Sequence, residues 1–501
     1  MTTTPADARV PARVTPRLAI AGLVFVAAAI VLLDKTLATS DRPTFAVVWG
    51  GLALAVYSAG LLCLVGTVQH AGLGLARWKM GPWTLLWYGV AFGITTLTWS
   101  QPQTGTPAQV TVSSALRALW LVAVGMAAWA VGYFVGPGRS ARGLATRAIG
   151  SLGRRFATEV RSPAAPWILY AVGIAARLAI AVTSGQFGYV GDPSSLVSSA
   201  TGYGGILGDL SLCAPLAVSA AALQVFRERL PGARVTLAVL FLIEVAFGAA
   251  AGGKESFVIA VLAAVIPFSA ARSRLPKAAS LASIFIFLVV VIPFNQAYRG
   301  AVRQGSVTLS PRQAVSATPR ILRQAVTDDD LITILPRSVD YLMQRIRQID
   351  SPANIVQRTP EQIGFLNPIQ LVEGPIAGMV PRAIWPNKPI MVTGYQFSQE
   401  YFGLPSTLYT STAETTVGGL YRYGGWIPVV VGMFLLACGV RLLDDVLDVR
   451  ANPHAILLVL LLFPSLVEGQ EDWQSILGSI PATIFVWLLA VVLTFRVRRR
   501  A

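Results

Sequence analysis

Charge is scarce along these 501 residues: Asp, Glu, Lys and Arg together make up 13%, whereas a soluble chain carries about 25%. That scarcity excludes an ordinary soluble globular protein. Cysteine is scarcer still. Cys63, Cys213 and Cys438 all fall inside apolar runs, which excludes a disulfide framework and a zinc-ligand pattern. The only histidines are His70 and His454, and no Ser-His-Asp set is visible. The sequence also lacks a P-loop and a dinucleotide-binding glycine fingerprint, so nucleotide-driven chemistry has no visible site. No tandem repeat divides the chain.

What is present is apolar: 54% of the residues are hydrophobic and the mean hydropathy is +0.61. Runs of this kind are read as membrane spans, which need about 20 residues each. The fold class expected is an all-α polytopic membrane protein with about twelve transmembrane helices. They lie near 18–33, 44–67, 83–99, 113–135, 166–183, 204–225, 235–251, 255–270, 279–297, 425–443, 455–468 and 476–495. With residues 1–17 placed in the cytoplasm, 23 Lys and Arg fall in cytoplasmic segments, among them Arg139, Arg142, Arg147, Arg154, Arg155 and Arg161. The short outer loops hold only Lys35, Arg42 and Lys254. This positive-inside asymmetry puts both termini in the cytoplasm, and both histidines on that side. The basic end at 496–501 reads as a topology anchor on anionic lipid rather than a nucleic-acid arm. The chain then divides into an N-terminal tail (1–17), helices one to nine (18–297), a long outer loop (298–424), helices ten to twelve (425–495) and the basic tail.

The long outer loop is where function is expected. Ser310 to Asp328 reads as a helix with Ser310 as cap and Pro311 in its first turn. The acids at 328–330 resemble the carboxylates of metal-dependent sugar transferases, or cap the helix that follows. From Leu331 to Asp350, Leu335, Val339, Leu342, Ile346 and Ile349 recur at helical spacing, which predicts an amphipathic helix at the interface. Pro368 to Pro389 is half apolar and broken by Pro and Gly. Irregular backbone of that kind survives at membrane depth only against protein or a water-filled cavity, so a re-entrant segment is expected. Its prolines would hold Arg382, Trp385 and Lys388 in fixed directions.

The outer side is cationic. Lys254, Arg299, Arg382, Lys388 and Arg422 each stand near a membrane boundary or in the broken segment. Arg forks bind phosphate oxygens in pairs and Lys acts as a point charge, which suits a phosphate-bearing lipid. Fixed cations would stabilise a diphosphate leaving group without a metal or other cofactor. Glu400 and Glu414 are the preferred candidates for a base, with Asp340 as a third. Trp385, Tyr395, Phe397, Tyr401 and Phe402 could stack on sugars or simply pack. Arg177, within the fifth helix, carries a charge at a depth that needs a partner or a purpose. It either pairs with Glu244 in the seventh helix or contacts substrate.

The span count, the late outer loop and the stretch PRAIWPNKP (381–389) resemble the Wzy-type oligosaccharide repeat-unit polymerases that build O-antigens and exopolysaccharides. GGKESFVIAVLAAVIPF (252–268) and YRG (298–300) add to the likeness. The resemblance implies a glycosyltransferase C-like fold in a bacterial cytoplasmic membrane. It implies metal-independent transfer on the outer face, with a polyprenyl-diphosphate-linked oligosaccharide as substrate and Arg299 and Arg382 on the diphosphate. A flippase and a chain-length regulator would be its partners. Lys254 stands where many relatives have Arg, and the ten-residue Arg-to-Gly spacing of some relatives is missing. The rival readings are an O-antigen-ligase-like transferase, disfavoured by the lack of an outer histidine, and a flippase or transporter, which would call for two related halves.

Overall fold

The computed structural model describes residues 16–38, 43–67, 73–99, 110–185, 187–188, 190, 204–304, 307–308, 311–327, 330–380, 385, 393–405 and 411–497. Among them, nine helices are long and apolar enough to cross a membrane, judged by length and composition. In chain order the helices are α1 (Pro16–Ala38), α2 (Pro43–Gly66), α3 (Met80–Tyr88), α4 (Val112–Val135), α5 (Arg139–Arg155), α6 (Ala165–Ser184), α7 (Gly204–Ser211), α8 (Cys213–Leu223), α9 (Ala233–Ala250), α10 (Lys254–Arg272), α11 (Lys277–Ile286) and α12 (Ile292–Val302). The long loop carries α13 (Pro311–Thr327), α14 (Leu331–Ile346), α15 (Asp350–Arg358), α16 (Gln370–Met379), α17 (Thr393–Phe402) and α18 (Thr416–Tyr421). The chain closes with α19 (Trp426–Val446), α20 (Pro453–Val467), α21 (Trp473–Gly478) and α22 (Ile480–Thr494). An all-α membrane protein is therefore the right coarse reading.

Small residues set the helix crossings, as expected where lipid supplies no hydrophobic drive and close packing must do the work. Gly22 of α1 faces Leu64 and the Gly60 carbonyl of α2, and a Cβ there would meet the Leu64 side chain at 2.8 Å. Gly132 of α4 lies against the Phe434 carbonyl of α19. Around that crossing Val122, Met126, Trp129 and Met433 are buried in the core.

Three expectations need correction. Two short two-stranded antiparallel sheets interrupt the all-α pattern: β1 (Phe156–Val160) pairs with β4 (Phe495–Val497), and β2 (Arg303–Gln304) with β3 (Val307–Thr308). The basic tail thus begins as a strand, because the polar backbone after α22 finds its hydrogen bonds on 156–160. The third helix is not continuous over 83–99. It passes through a π turn at Gly89–Gly93 into a 3-10 turn at Ile94–Thr98. The Ala91 carbonyl there accepts from Gln348 N at 3.0 Å and from Thr95 Oγ1. The expected helix 331–350 ends at Ile346, since Arg347 is extended (φ −68°, ψ 110°), and α15 starts anew at Asp350.

One end of the bundle collects the arginine-rich turns. Arg142 pairs with Asp445 at 3.1 Å, Arg227 donates to the Arg450 carbonyl, Arg450 to that of Ser273, and Arg496 to that of Arg161. Asp444 fixes α3 there. Its carboxylate accepts from Met80 N (2.8 Å), Gly81 N (3.0 Å) and Tyr133 Oη (2.7 Å), and so caps the α3 N-terminus from another helix. The long loop folds over the opposite end.

Candidate functional site

The first part of the site is a group of like charges. α10 starts at Lys254, after a turn in which Gly252 takes φ +72°. Two side chains of α12 hold that turn: Asn295 Nδ2 donates to the Gly252 carbonyl at 2.6 Å, and Tyr298 Oη donates to that of Ala250. Arg299 follows Tyr298 directly, so the contacts that fix the turn also set Arg299 beside Lys254. From α14, the Tyr341 ring lies 5.8 Å from Lys254 Nζ, and Arg345 is one turn further along. Lys254 is acted on by the like charges of Arg345 and Arg299 and the opposite charges of Glu255 and Glu468. Arg299 and Arg345 acting together on Lys254 make a cationic group that suits an anion with several oxygens.

The second part is an arginine between two carboxylates. Arg422, just past α18, reaches Glu414 at 2.7 Å with Nη1 and Glu400 at 3.1 Å with Nη2. Its guanidinium stacks over Tyr401 (5.0 Å) and Phe397 (5.6 Å). Those rings and Phe402 are fully buried, and the Tyr401 hydroxyl is 2.7 Å from Thr359 Oγ1. The rings therefore form the bed of Arg422 and are not open sugar platforms. Glu414 is buried while the Glu400 side chain is 44% exposed, so the two carboxylates of one arginine differ sharply in solvation. Burial pushes the Glu414 carboxyl up to about 7, against the pull of Arg422, with Asp472 and Glu400 adding to the rise. Thr415, next in the chain, has φ +64°, a conformation that costs a β-branched residue energy and marks a constrained turn. Its Oγ1 accepts from Gly418 N and caps α18.

A turn between the last two apolar helices joins the two parts. The Glu468 carbonyl accepts from Trp87 Nε1 (2.9 Å) and Gln348 Nε2 (3.0 Å). The Gly469 carbonyl accepts from Thr416 N (3.0 Å), and that of Glu471 from Thr416 Oγ1 (2.8 Å). Glu468 thus faces Lys254 while Asp472 faces Glu414. Burial, with Glu255 and Glu471 nearby, pushes the Glu468 carboxyl up to about 7, and Lys254 pulls the other way. Below the turn, Arg347 and Asp350 form a buried pair at 2.7 Å, with Arg347 also on Thr98.

The structure thus brings together Lys254 with Arg299, and Glu400, Glu414 and Tyr401 with Arg422. Arg177 is in a two-pronged pair with Glu244, Nη1 and Nη2 at 2.8 and 2.7 Å, and lies over Phe247. Of the two roles open to Arg177, pairing is the one seen. Trp385 is half-exposed, and Arg382 and Lys388 lie outside the described residues. Asp340 accepts from Gln344 on its own helix. Of the acids at 328–330 only Asp330 is described, immediately before α14. Sequence reasoning passed over Arg345, Glu468 and Asp472 as site residues. The signal available was VEGQEDW (467–473), three acids in a short turn between apolar helices. Among the described residues no group of His, Cys, Asp or Glu is arranged to hold a metal ion.

No curated protein and no solved structure matches the chain. Residues 194–443, just short of half the chain, match the model of a family described as a domain of unknown function, DUF8712. That span includes Lys254, Arg299, Arg345, Glu400, Glu414 and Arg422 but not the 468–472 turn.

Proposed function

We propose that the chain is a membrane glycosyltransferase that polymerises lipid-diphosphate-linked oligosaccharide repeat units on the outer face of a bacterial cytoplasmic membrane. The observation that carries this reading is the convergence of Lys254, Arg299 and Arg345 at one end of the 468–472 turn and of Glu414, Glu400 and Arg422 at the other. On this reading twelve helices cross the bilayer, both termini are cytoplasmic, and the site faces outward.

In the proposed step an acceptor sugar hydroxyl oxygen attacks the anomeric carbon of the donor chain. The bond from that carbon to the diphosphate oxygen breaks, and the electron pair leaves with the diphosphate. Lys254, Arg299 and Arg345 stabilise that developing charge from fixed positions, where no reorganisation is needed at the moment of reaction. Glu414 takes the hydroxyl proton. A carboxyl titrating near 7 is matched to this task, because it holds a proton strongly enough to remove one and is still ionised in useful amount at neutral pH. Arg422 orients Glu414 from beneath, held in turn by Tyr401 and Phe397.

The test is glycan length in the host. Deletion should leave single repeat units on lipid at the outer leaflet, wild-type chain should restore polymer, and Glu414→Gln or Arg299→Ala at matched protein levels should not. Accumulation of single units on the inner leaflet would instead make the chain a flippase and sink the transferase reading.

A further inference from the structure

The arginine-rich end carries an element that the proposed transfer does not use. α5, RSARGLATRAIGSLGRR, lies between two span-length helices, and its sequence is two-faced. Ile149 and Leu152 pack against the core. On the other side Leu144, Arg147, Ser151 and Arg154, spaced three or four apart, share an exposed stripe, with Leu144 72% exposed. Among the described residues only Arg142 of this helix meets a carboxylate, Asp445, which already holds Arg441 at 2.9 Å. Among the described residues Arg147 and Arg154 form no ion pair. Arg155 lies over the Phe156 ring at 5.9 Å, and along the β1–β4 sheet Arg161 is exposed while Arg496 stands 4.0 Å from Glu159.

Chain length limits how far this surface can be from lipid. α4 ends in Phe134 and Val135, both more than half exposed, and only Gly136, Pro137 and Gly138 separate them from α5. Three residues span at most about 10 Å. That keeps the start of α5 near the bilayer, at a distance comparable with the Debye length of about 8 Å at physiological salt. An exposed leucine among unpaired arginines, this close to the bilayer, has the composition of a helix lying in the headgroup layer.

We propose that α5 is an in-plane helix that binds anionic phospholipid in the leaflet at the arginine-rich end. Leu144 enters the acyl boundary, and Arg147 and Arg154 hold lipid phosphates. The occupant is a lipid headgroup rather than a soluble acidic partner, because three residues join α5 to a span-length helix and the acyl boundary beside it can bury Leu144.

The test uses the full chain. It is released from membranes of phosphatidylcholine containing increasing phosphatidylglycerol, and the retained lipid is counted by native mass spectrometry. Phosphatidylglycerol should be retained in preference, and Arg147→Gln with Arg154→Gln should weaken retention about 25-fold, about fivefold for each arginine. Arg272→Gln with Arg274→Gln, in another turn of the same end, should leave it unchanged. A nitroxide at Leu144→Cys in nanodiscs gives a second reading that does not depend on the arginine variants, and it should be shielded from water-soluble relaxation agents. Equal retention of both lipids, unchanged retention in the double variant, or a water-exposed label would each overturn the proposal. A water-exposed label would point to a soluble acidic partner instead.

Discussion

Glu414 shows how much a single residue owes to its surroundings. Its ordinary value of 4.5 rises to about 7 on burial, even with Arg422 at 2.7 Å. As base, it can take a proton only once it has lost its own. The transfer rate is therefore expected to rise with pH through about 7, and Glu414→Gln should flatten that limb and slow the reaction by roughly 10²–10⁴-fold. The same shift has a stability consequence of fixed sign. Between about 4.5 and 7 the folded chain keeps a proton that the unfolded chain has released, so this group's contribution falls as pH rises across that window. A thermal-unfolding series in detergent over the same range reads it, and Glu414→Gln should reduce the slope, leaving the part that Glu468 contributes over the same window. Arg177 makes the opposite case. Arg177→Ala leaves Glu244 buried without its partner and should cost about 3–5 kcal/mol of stability, whereas replacing both by Met should recover most of it. If the double variant is stable but makes no polymer, Arg177 acts on substrate as well. This pairing was legible in the sequence because two charges at similar depth in apolar helices leave each other as the natural partner. The two-carboxylate grip of Arg422 was not, since Glu400 and Glu414 are separated by a loop whose path the sequence does not set.

At the scale of elements, long apolar runs locate their helices because burial and lipid act on composition alone. Short polar elements escaped. α15 carries Ala353 and Ile355 as buried aliphatic positions, with Ile349 just before it, too few to show a period. It is held by polar contacts instead: Ser351 Oγ to the Ala413 carbonyl and Asn354 Nδ2 to that of Tyr401. The 468–472 turn escaped for a related reason, since its role lies in backbone carbonyls that any sequence would offer. It is nonetheless fragile. Gly469 has φ +62°, and a Cβ there would meet the Tyr88 ring at 2.6 Å. Gly469→Ala should therefore cost stability of about 1–3 kcal/mol through strain and overpacking. It should also abolish polymer formation while leaving membrane insertion intact. Normal polymer from a fully folded Gly469→Ala chain would show that the turn does not join the two halves of the site. The α16–α21 crossing makes a comparable demand, because a Cβ on Gly378 would meet the Gly478 Cα at 2.7 Å.

For the whole molecule, arginine-rich turns gather at one end and the described helices of the long loop pack at the other. What no count could supply is which charges meet. Lys254, Arg345 and Glu468 are separated by scores of residues, and Trp87, Asn295, Tyr298 and Gln348 bring them together through hydrogen bonds to backbone carbonyls. The most direct test of the proposed activity uses purified chain in liposomes with a synthetic lipid-diphosphate oligosaccharide as the only glycan, following product length by gel. A ladder of multiples is expected with wild-type chain, and none with the Lys254→Ala/Arg299→Ala double variant. If wild-type chain leaves every glycan at single-unit length while the lipid crosses between leaflets, the transferase proposal is contradicted.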